Sequence, residues 1–239
     1  MTSCKDFDAL LKPGVTLGEA EPGILTALDP DNAANSYDAQ GALAFYDSVA
    51  CNPLFNRLVW GYRVSGLHAF CSELLASDTD GWFLDAGCGS LAFTARAYQE
   101  SDRPVVLADQ SLTLLRKAKE RLERGSTGNS NIVFLQADVM DLPFRDSSFS
   151  TVMSMNMLHV LPKAETMIDE VMCVAVPGGS IGFTTLHRAG RWSDGYMRMW
   201  EKRKELVCRD ESQLQAMFAQ HGLNATIRTH GNMAFINVA

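Results

Sequence analysis

An acid and two glycines follow a short apolar run in the first half of the chain. The apolar residues 82–84 lead into Asp-Ala-Gly-Cys-Gly at 85–89, and a helix-like pattern begins at Ser90. Glycine has no Cβ, so Gly87 and Gly89 would let the backbone approach a ligand closely. The start of a helix adds unpaired N–H groups and a partial positive charge. This strand–turn–helix pattern predicts a site for a nucleotide-type cofactor.

The position of Asp85 indicates which cofactor the glycine turn would bind. The dinucleotide fingerprint G-x-G-x-x-G requires a third glycine at position 92, where this chain has Ala92. A carboxylate two residues before Gly87 would repel a pyrophosphate and attract a cationic amine. S-adenosylmethionine, which has an α-amino group and a sulfonium, fits this pattern, and a nicotinamide cofactor is the disfavoured alternative.

Composition limits the class of protein. The chain has 239 residues, a net charge of −7, and 46% apolar residues. This charge argues against a general nucleic-acid binder, which needs a basic face. The six cysteines form no CxxC pair and no zinc-like spacing with histidine, so we expect reduced thiols, a cytoplasmic location and no metal site. From the polar N-terminus we expect no signal peptide, and since no run reaches the roughly 20 apolar residues that span a bilayer, we expect no membrane partner.

The hydrophobic pattern predicts the fold. From Gly81 onward, short apolar runs alternate with helix-like segments, which is typical of a parallel sheet with helices on both faces. The predicted strands are 81–86, 104–109, 132–137, 149–156 and 180–186, followed by a hairpin over 223–229 and 233–238. We therefore expect an α/β, Rossmann-like, doubly wound and mostly parallel seven-stranded sheet with an antiparallel C-terminal hairpin.

The N-terminal part is predicted to be separate. Residues 1–36 read as loop-rich, and residues 39–49 and 54–75 read as helices. We expect an N-terminal helical lid over residues 1–78 and a cofactor-binding domain over 79–239, with a lid-like insertion at about 188–207.

The motifs at the strand ends resemble those of class I S-adenosylmethionine-dependent methyltransferases over roughly residues 80–186. The likeness begins with Leu-Asp-Ala-Gly-Cys-Gly at 84–89 and continues at the strand end 105–109. Three further stretches follow in the family's order, namely 136–139, 141–149 and the Pro-Gly-Gly turn at 177–179. Leu91 departs from the family, since many members carry a further glycine there. Residues 45–63 are more loosely similar to the N-terminal segment of quinone-type methyltransferases.

This resemblance implies a set of cofactor contacts. Asp109 would accept hydrogen bonds from both ribose hydroxyls, Gln110 would lie against the adenine, and Asp138 would accept from its exocyclic amine. Asp85 would lie near the amino-acid end of the cofactor. The complete set of expected cofactor-binding residues is Tyr46, Asp85, Gly87, Gly89, Asp109, Gln110, Asp138, Val139 and Asn156.

Aromatic residues at helical spacing precede the glycine turn. Tyr46, Trp60 and Tyr62 would usually be core residues. Alternatively they line the active site, because a sulfonium gains from an aromatic face by cation–π attraction.

Two histidines follow predicted strands. His159 comes after the fourth strand and His187 after the fifth, and ligands of open α/β sheets bind at the carboxyl ends of strands. Both are candidate catalytic bases, and a structural or pocket-lining role is the competing interpretation. The 188–207 insertion, with Trp192, Tyr196 and Trp200, is either an adaptable apolar lid or a helix packed on the sheet.

These features predict a methyltransferase that moves a methyl group from S-adenosylmethionine to a small, partly hydrophobic molecule and releases S-adenosylhomocysteine. In-line displacement would depend mainly on positioning. The alternatives are a non-catalytic S-adenosylmethionine-binding protein on the same fold and, less favoured, a nicotinamide-dependent oxidoreductase.

Overall fold

A computed structural model describes residues 4–29, 51–77, 80–124 and 131–238. The helix predicted over 39–49, which includes Tyr46, lies outside these residues. Five of the six cysteines are recorded as free thiols, and no helix in the described ranges is long and apolar enough to cross a membrane.

A nine-stranded mixed sheet forms the centre of the molecule. The strands are β1 Gly18–Glu21, β2 Ile24–Thr26, β3 Phe83–Ala86, β4 Val105–Asp109, β5 Ile132–Gln136, β6 Phe149–Met155, β7 Ala175–Leu186, β8 Ala225–His230 and β9 Met233–Val238. Their spatial order is β1-β2-β5-β4-β3-β6-β7-β9-β8. Strands β2 to β7 pair in parallel, whereas β9 is antiparallel to both β7 and β8. The Rossmann-like fold with an antiparallel C-terminal hairpin is confirmed, and the described residues form nine strands where seven were predicted.

Eight helices lie among the described residues. They are α1 Cys4–Asp8, α2 Pro53–Phe55, α3 Val64–Leu75, α4 Ala95–Gln99, α5 Leu112–Glu123, α6 Ala164–Val174, α7 Asp194–Lys202 and α8 Glu211–Gln220, with a π-helical turn at Asn56–Trp60. Ser111 caps α5, since its hydroxyl accepts a hydrogen bond from the Leu114 N–H. The helix predicted from Ser90 begins only at Ala95, because residues 90–94 form part of the turn that follows β3.

The two extra strands lie in the segment that was predicted to be loop-rich. β2 pairs in parallel with β5, and Leu25 lies opposite Leu135. The Arg116 Nε donates to Glu21 at 2.8 Å, which joins the hairpin to α5. The prediction was wrong here because the β1 sequence Gly-Glu-Ala-Glu is a charged edge strand without apolar alternation.

The Pro-Gly-Gly turn predicted at 177–179 lies inside β7. Pairing between β6 and β7 is irregular near this point, and Gly178 has a φ of +76°. The turn is therefore replaced by an irregular strand segment of the kind that a β-bulge produces.

Apolar side chains cover both faces of the sheet. Leu84 and Val106 belong to one buried cluster, while their neighbours Phe83 and Leu107 belong to the other. This alternation follows from the two-residue period of a strand. The parallel pairing of β3 to β7 places the polar residues that follow these strands together along one edge of the sheet. The predicted domain boundary near residue 78 stays a prediction.

Candidate cofactor and active site

The glycine turn after β3 is tightly packed. Gly87 and Gly89 have φ values of +84° and +56°, a region that favours glycine. The Gly87 N–H donates to the Ala108 carbonyl at 2.8 Å. A Cβ on Gly87 would lie 2.7 Å from Met157 Cγ, so any larger residue would collide with it.

Leu91 adopts the left-handed conformation as well, with a φ of +55° and 2% of its surface exposed. A non-glycine residue pays about 1–2 kcal/mol for this conformation. The one departure from the family motif therefore keeps a backbone conformation that glycine favours, and the leucine side chain fills the core.

Asp85 is a buried carboxylate with one partner. The Tyr98 hydroxyl donates to Oδ2 at 2.6 Å, and only 2% of Asp85 is exposed. Within the described ranges, Oδ1 is buried and accepts no hydrogen bond. Burial raises the pKa of Asp85 to about 7, the Tyr98 hydrogen bond opposes this shift, and nearby Asp109 adds to it.

Asn156 presents a second unpaired acceptor. It has a φ of +61°, and its N–H donates to the Thr184 carbonyl at 2.8 Å. Its side-chain Oδ1 is buried, and no donor from the described residues reaches it. Asp85, Gly87, Cys88 and Asn156 line the same small cavity, of about 40 Å³. The turn and the β6 end thus bring two residues with unpartnered oxygen acceptors to the lining of one cavity.

Asp109, at the end of β4, is joined to the glycine turn. The Gly89 N–H donates to its Oδ2 at 2.8 Å, and the Ser111 N–H donates to its Oδ1 at 2.9 Å. The carboxylate therefore fixes both the turn and the start of α5. Its role in ribose binding stays a prediction.

The predicted adenine-binding residues follow β4 and β5. The Met140 N–H donates to Asp138 Oδ1 at 2.9 Å, so this carboxylate also stabilises its own turn. The Gln136 side chain donates to the Gln110 carbonyl at 3.1 Å, which connects the two strand ends. Val139 is buried with 5% exposed. Adenine contacts for these residues stay predictions.

The ring of His159 is positioned by hydrogen bonds to residues of β7. The Leu186 N–H donates to its Nδ1 at 3.2 Å, and the Thr185 hydroxyl lies 3.1 Å from the same nitrogen. Burial, reinforced by the charge of Arg209, lowers the pKa of His159 to about 4. The ring is therefore neutral at physiological pH, with Nδ1 acting as an acceptor.

His187 differs from His159 in its ring contacts. It is 3% exposed, and neither ring nitrogen has a hydrogen-bond partner in the part of the chain that is described. Burial is the main cause of its lowered pKa. Its backbone is fixed, because the His187 N–H donates to the Asn232 carbonyl at 2.9 Å.

A buried polar network lies beside His187. The Ser193 hydroxyl donates to Asn232 Oδ1 at 2.6 Å, and Asn232 Nδ2 donates to Asp194 Oδ1 at 2.7 Å and to the His187 carbonyl at 2.9 Å. The Gly190 N–H donates to Asp194 Oδ2 at 2.9 Å. This network anchors the start of α7 to the C-terminal hairpin.

Aromatic rings join α7 to the N-terminal segment. The ring centroids of Trp60 and Tyr196 are 5.6 Å apart, and those of Phe55 and Tyr196 are 6.4 Å apart. The Tyr62 hydroxyl donates to Asn56 Oδ1 at 3.0 Å. Trp60 and Tyr62 are buried in this packing.

Sequence reasoning missed Tyr98 and Asn232. Tyr98 is a hydroxyl-bearing residue on the buried side of α4, and a buried tyrosine usually requires a partner. That signal was present in the sequence, although the partner Asp85 was not identifiable from it. Asn232 lies in a hairpin turn, where asparagine is common for conformational reasons alone.

Comparisons with known proteins agree with the geometry. The methyltransferase-domain family matches residues 83–179. The ubiquinone/menaquinone biosynthesis C-methyltransferase UbiE of Pseudomonas fluorescens (strain SBW25) is 32% identical over 171 residues, covering 68% of this chain and 64% of that protein. Residues 83–179 therefore form a methyltransferase domain, and the chain is similar to class I S-adenosylmethionine-dependent methyltransferases. S-adenosylmethionine is the cofactor of this family.

Solved structures share the methyltransferase fold. The geranyl diphosphate C-methyltransferase of Streptomyces coelicolor A3(2), solved with S-adenosyl-L-homocysteine, has a TM-score of 0.58 at 14% identity, covering 73% of this chain and 77% of that one. The [4+2]-cyclase SpnF has a TM-score of 0.59 at 18% identity, covering 77% and 83%. The chain spans between 36% and 64% of the length of the first three curated relatives.

Proposed function

We propose that this chain transfers a methyl group from S-adenosylmethionine to a small, partly hydrophobic acceptor. The observation that carries the proposal is the pair of unpartnered buried acceptors, Asp85 Oδ1 and Asn156 Oδ1, in one cavity beside the glycine turn. A buried polar atom without a partner is costly unless a ligand satisfies it.

The chemistry of this pair favours an α-ammonium group. An ammonium has three donors and no acceptor, whereas a carboxylate and an amide oxygen accept only. An ionised Asp85 would also neutralise the charge of the amine. A pyrophosphate offers acceptors of its own, so it would leave both oxygens unpaired and face a like charge.

The remaining contacts position the cofactor. Asp109 would hold the ribose hydroxyls, Gln110, Asp138 and Val139 would surround the adenine, and Gly87 and Gly89 would permit close approach. Tyr46 stays a proposed contact from the sequence alone. Bound S-adenosylmethionine supplies an electrophilic methyl group, and the protein's part is to orient it and exclude water.

Proton acceptance, where the acceptor requires it, is assigned to a histidine. His159 uses Nδ1 to accept from the Leu186 N–H, which leaves only Nε2 for this task. His187 is the other candidate, and burial is the main cause of its lowered pKa.

Three further features are proposed from the sequence. They are the division into residues 1–78 and 79–239, an acceptor that is not a nucleic acid, and a cytoplasmic location. The net charge of −7 supports the second, because a polyanion would be repelled.

Binding of S-adenosylmethionine without methyl transfer is the second candidate function. A structure described as a [4+2]-cyclase shares this fold, so the fold alone does not require methyl transfer. Incubation with methyl-labelled S-adenosylmethionine and a panel of phenolic, amine, thiol and activated-carbon acceptors separates the two. Label in a product supports transfer, whereas tight binding without label in any product supports the alternative.

Calorimetry tests the proposed cofactor site. S-adenosylhomocysteine should bind at least about tenfold more tightly than its desamino analogue, since a charge-assisted hydrogen bond contributes about 1.5–3 kcal/mol. Asp85→Asn should reduce this preference, and NADH should bind more weakly than either. Equal affinity for the two analogues, or preference for NADH, would contradict the proposal.

A further inference from the structure

Large apolar side chains are exposed on one part of the surface. Four stand out among the described residues, and all belong to the segments 53–63 and 191–204. They are Leu54 and Leu58, each 64% exposed, Trp192, 70% exposed, and Met199, 40% exposed. Single exposed apolar residues are normal, but a group on adjoining segments indicates an interaction site.

The two segments form one surface, which we name the docking surface (residues 53–63 and 191–204). Their inner sides meet through Phe55, Trp60 and Tyr196, whose rings pack together. Arg191 lies against the other segment, because a Cβ on Gly61 would be 2.9 Å from its Cζ.

Helical spacing shows which exposed residues of the docking surface lie on the same side of a helix. Leu54 and Leu58 are four positions apart on the turn that begins at α2, and Arg57 lies between them. On α7, Met199 and Lys202 are three positions apart, which places them on one side of the helix. Apolar and cationic side chains therefore alternate on the exposed side.

The charge of the docking surface opposes that of the whole chain. Residues 53–63 contain two arginines and no acid, and residues 191–204 contain five cations and two acids, in a chain of net charge −7. One of the two acids, Asp194, is 4% exposed and accepts hydrogen bonds from Gly190 and Asn232. No ion pair among the described residues involves the cations, which are Arg57, Arg63, Arg191, Arg198, Lys202, Arg203 and Lys204.

We infer that the docking surface binds the face of an anionic lipid bilayer. Basic residues beside exposed leucine, methionine and tryptophan are the combination that adsorbs to such a face. Leucine and methionine gain nothing from the phosphate backbone of a nucleic acid, and a second copy in a symmetric contact would bring like charges together. The expectation of no membrane partner rested on the lack of a spanning segment, which surface binding does not require.

Vesicle flotation of the full chain without cofactor tests this inference, so its result does not depend on the proposed function. The protein should float with vesicles of phosphatidylcholine and phosphatidylglycerol, and should bind pure phosphatidylcholine at least about tenfold more weakly. Each cation near an anionic surface strengthens binding about fivefold, so Arg198→Glu with Lys202→Glu should weaken flotation by more than tenfold. Leu58→Gln with Trp192→Gln should weaken it while leaving the charge unchanged.

A matched control reverses two exposed cations elsewhere. Arg96 and Arg124, with side chains 78% and 76% exposed, lie on α4 and immediately after α5. Arg96→Glu with Arg124→Glu should leave flotation within about twofold of the wild type, since neither residue lies on the docking surface. The inference is overturned by absent flotation of the folded wild type, by an equal loss in the control, or by tighter binding of single-stranded or duplex DNA. Sedimentation showing a dimer that Leu58→Gln with Trp192→Gln dissolves, without vesicle binding, would also overturn it.

Discussion

Two buried polar clusters lie at the carboxyl edge of the sheet, and they differ in how their hydrogen bonds are satisfied. In the network after β7, the side chains of Ser193, Asp194 and Asn232 all have partners. In the cavity beside β3, one oxygen of Asp85 and one of Asn156 have none among the described residues. Because an unpaired buried polar atom costs about 1–3 kcal/mol, the first cluster is suited to hold the fold and the second to hold a ligand.

The largest expected effect concerns the paired cluster. Asn232→Ala should lower the free energy of unfolding by about 3 kcal/mol, because it leaves Ser193 and Asp194 buried with fewer partners. Urea denaturation measures the loss, and S-adenosylhomocysteine affinity of the folded variant should stay near the wild-type value. Asn224 is exposed, so Asn224→Ala is the matched control and should change stability by less than about 0.5 kcal/mol. If Asn232→Ala and Asn224→Ala were equally stable, the Asn232 cluster would not be a cluster that stabilises the fold.

Asp109 is expected both to stabilise the fold and to bind the cofactor. Asp109→Ala should weaken S-adenosylhomocysteine binding about 100-fold, and it should also cost about 1–3 kcal/mol of stability because the Gly89 and Ser111 N–H groups lose their acceptor. Calorimetry and urea denaturation measure the two effects separately. Asp102 is exposed before β4, and Asp102→Ala should alter neither. Normal affinity in Asp109→Ala would argue against a ribose contact.

A smaller effect is expected from Tyr98, whose hydroxyl donates a hydrogen bond to Asp85 Oδ2. Its hydroxyl lowers the pKa of Asp85, so Tyr98→Phe should raise that pKa above about 7. Binding of S-adenosylhomocysteine should then weaken about fivefold at pH 7 and recover toward the wild-type value at pH 8. Tyr62→Phe removes a buried hydroxyl that bonds to Asn56, and it should not shift the pH dependence. A loss in Tyr98→Phe that is independent of pH would assign Tyr98 a packing role alone.

Local sequence was sufficient for the strands that position the site. The carboxyl ends of β3, β4 and β5 fall within one residue of their predicted positions, because short apolar runs followed by acids or glycines are strong local signals. The departure of Leu91 from the family's glycine pattern is also visible in the sequence. Only the structure shows that Leu91 adopts the left-handed backbone conformation.

Contacts between residues that are far apart in the chain could not be predicted from the sequence. The β1–β2 hairpin depends on pairing with β5, more than 100 positions away, and its edge strand is charged. The Tyr98–Asp85 bond and the Thr184 contact that fixes Asn156 depend on packing between separate elements. The same holds for the Asn232 network, which joins the loop after β7 to the hairpin.

The pH dependence of S-adenosylhomocysteine binding tests the central claim most directly, which is that Asp85 receives the cofactor's ammonium group. Burial raises the pKa of Asp85 to about 7, so a proton occupies the carboxylate at lower pH and prevents it from pairing with the amine. The folded pKa exceeds that of the unfolded chain. Without ligand, the free energy of unfolding of the wild type relative to Asp85→Asn should therefore fall as pH rises from about 4 to about 7.

Calorimetry between pH 5.5 and 8 compares the wild type with Asp85→Asn. Wild-type affinity should increase with pH and level off above about pH 7, while the affinity of Asp85→Asn should be lower and nearly independent of pH. Equal affinities and parallel pH profiles for the two proteins would contradict the claim.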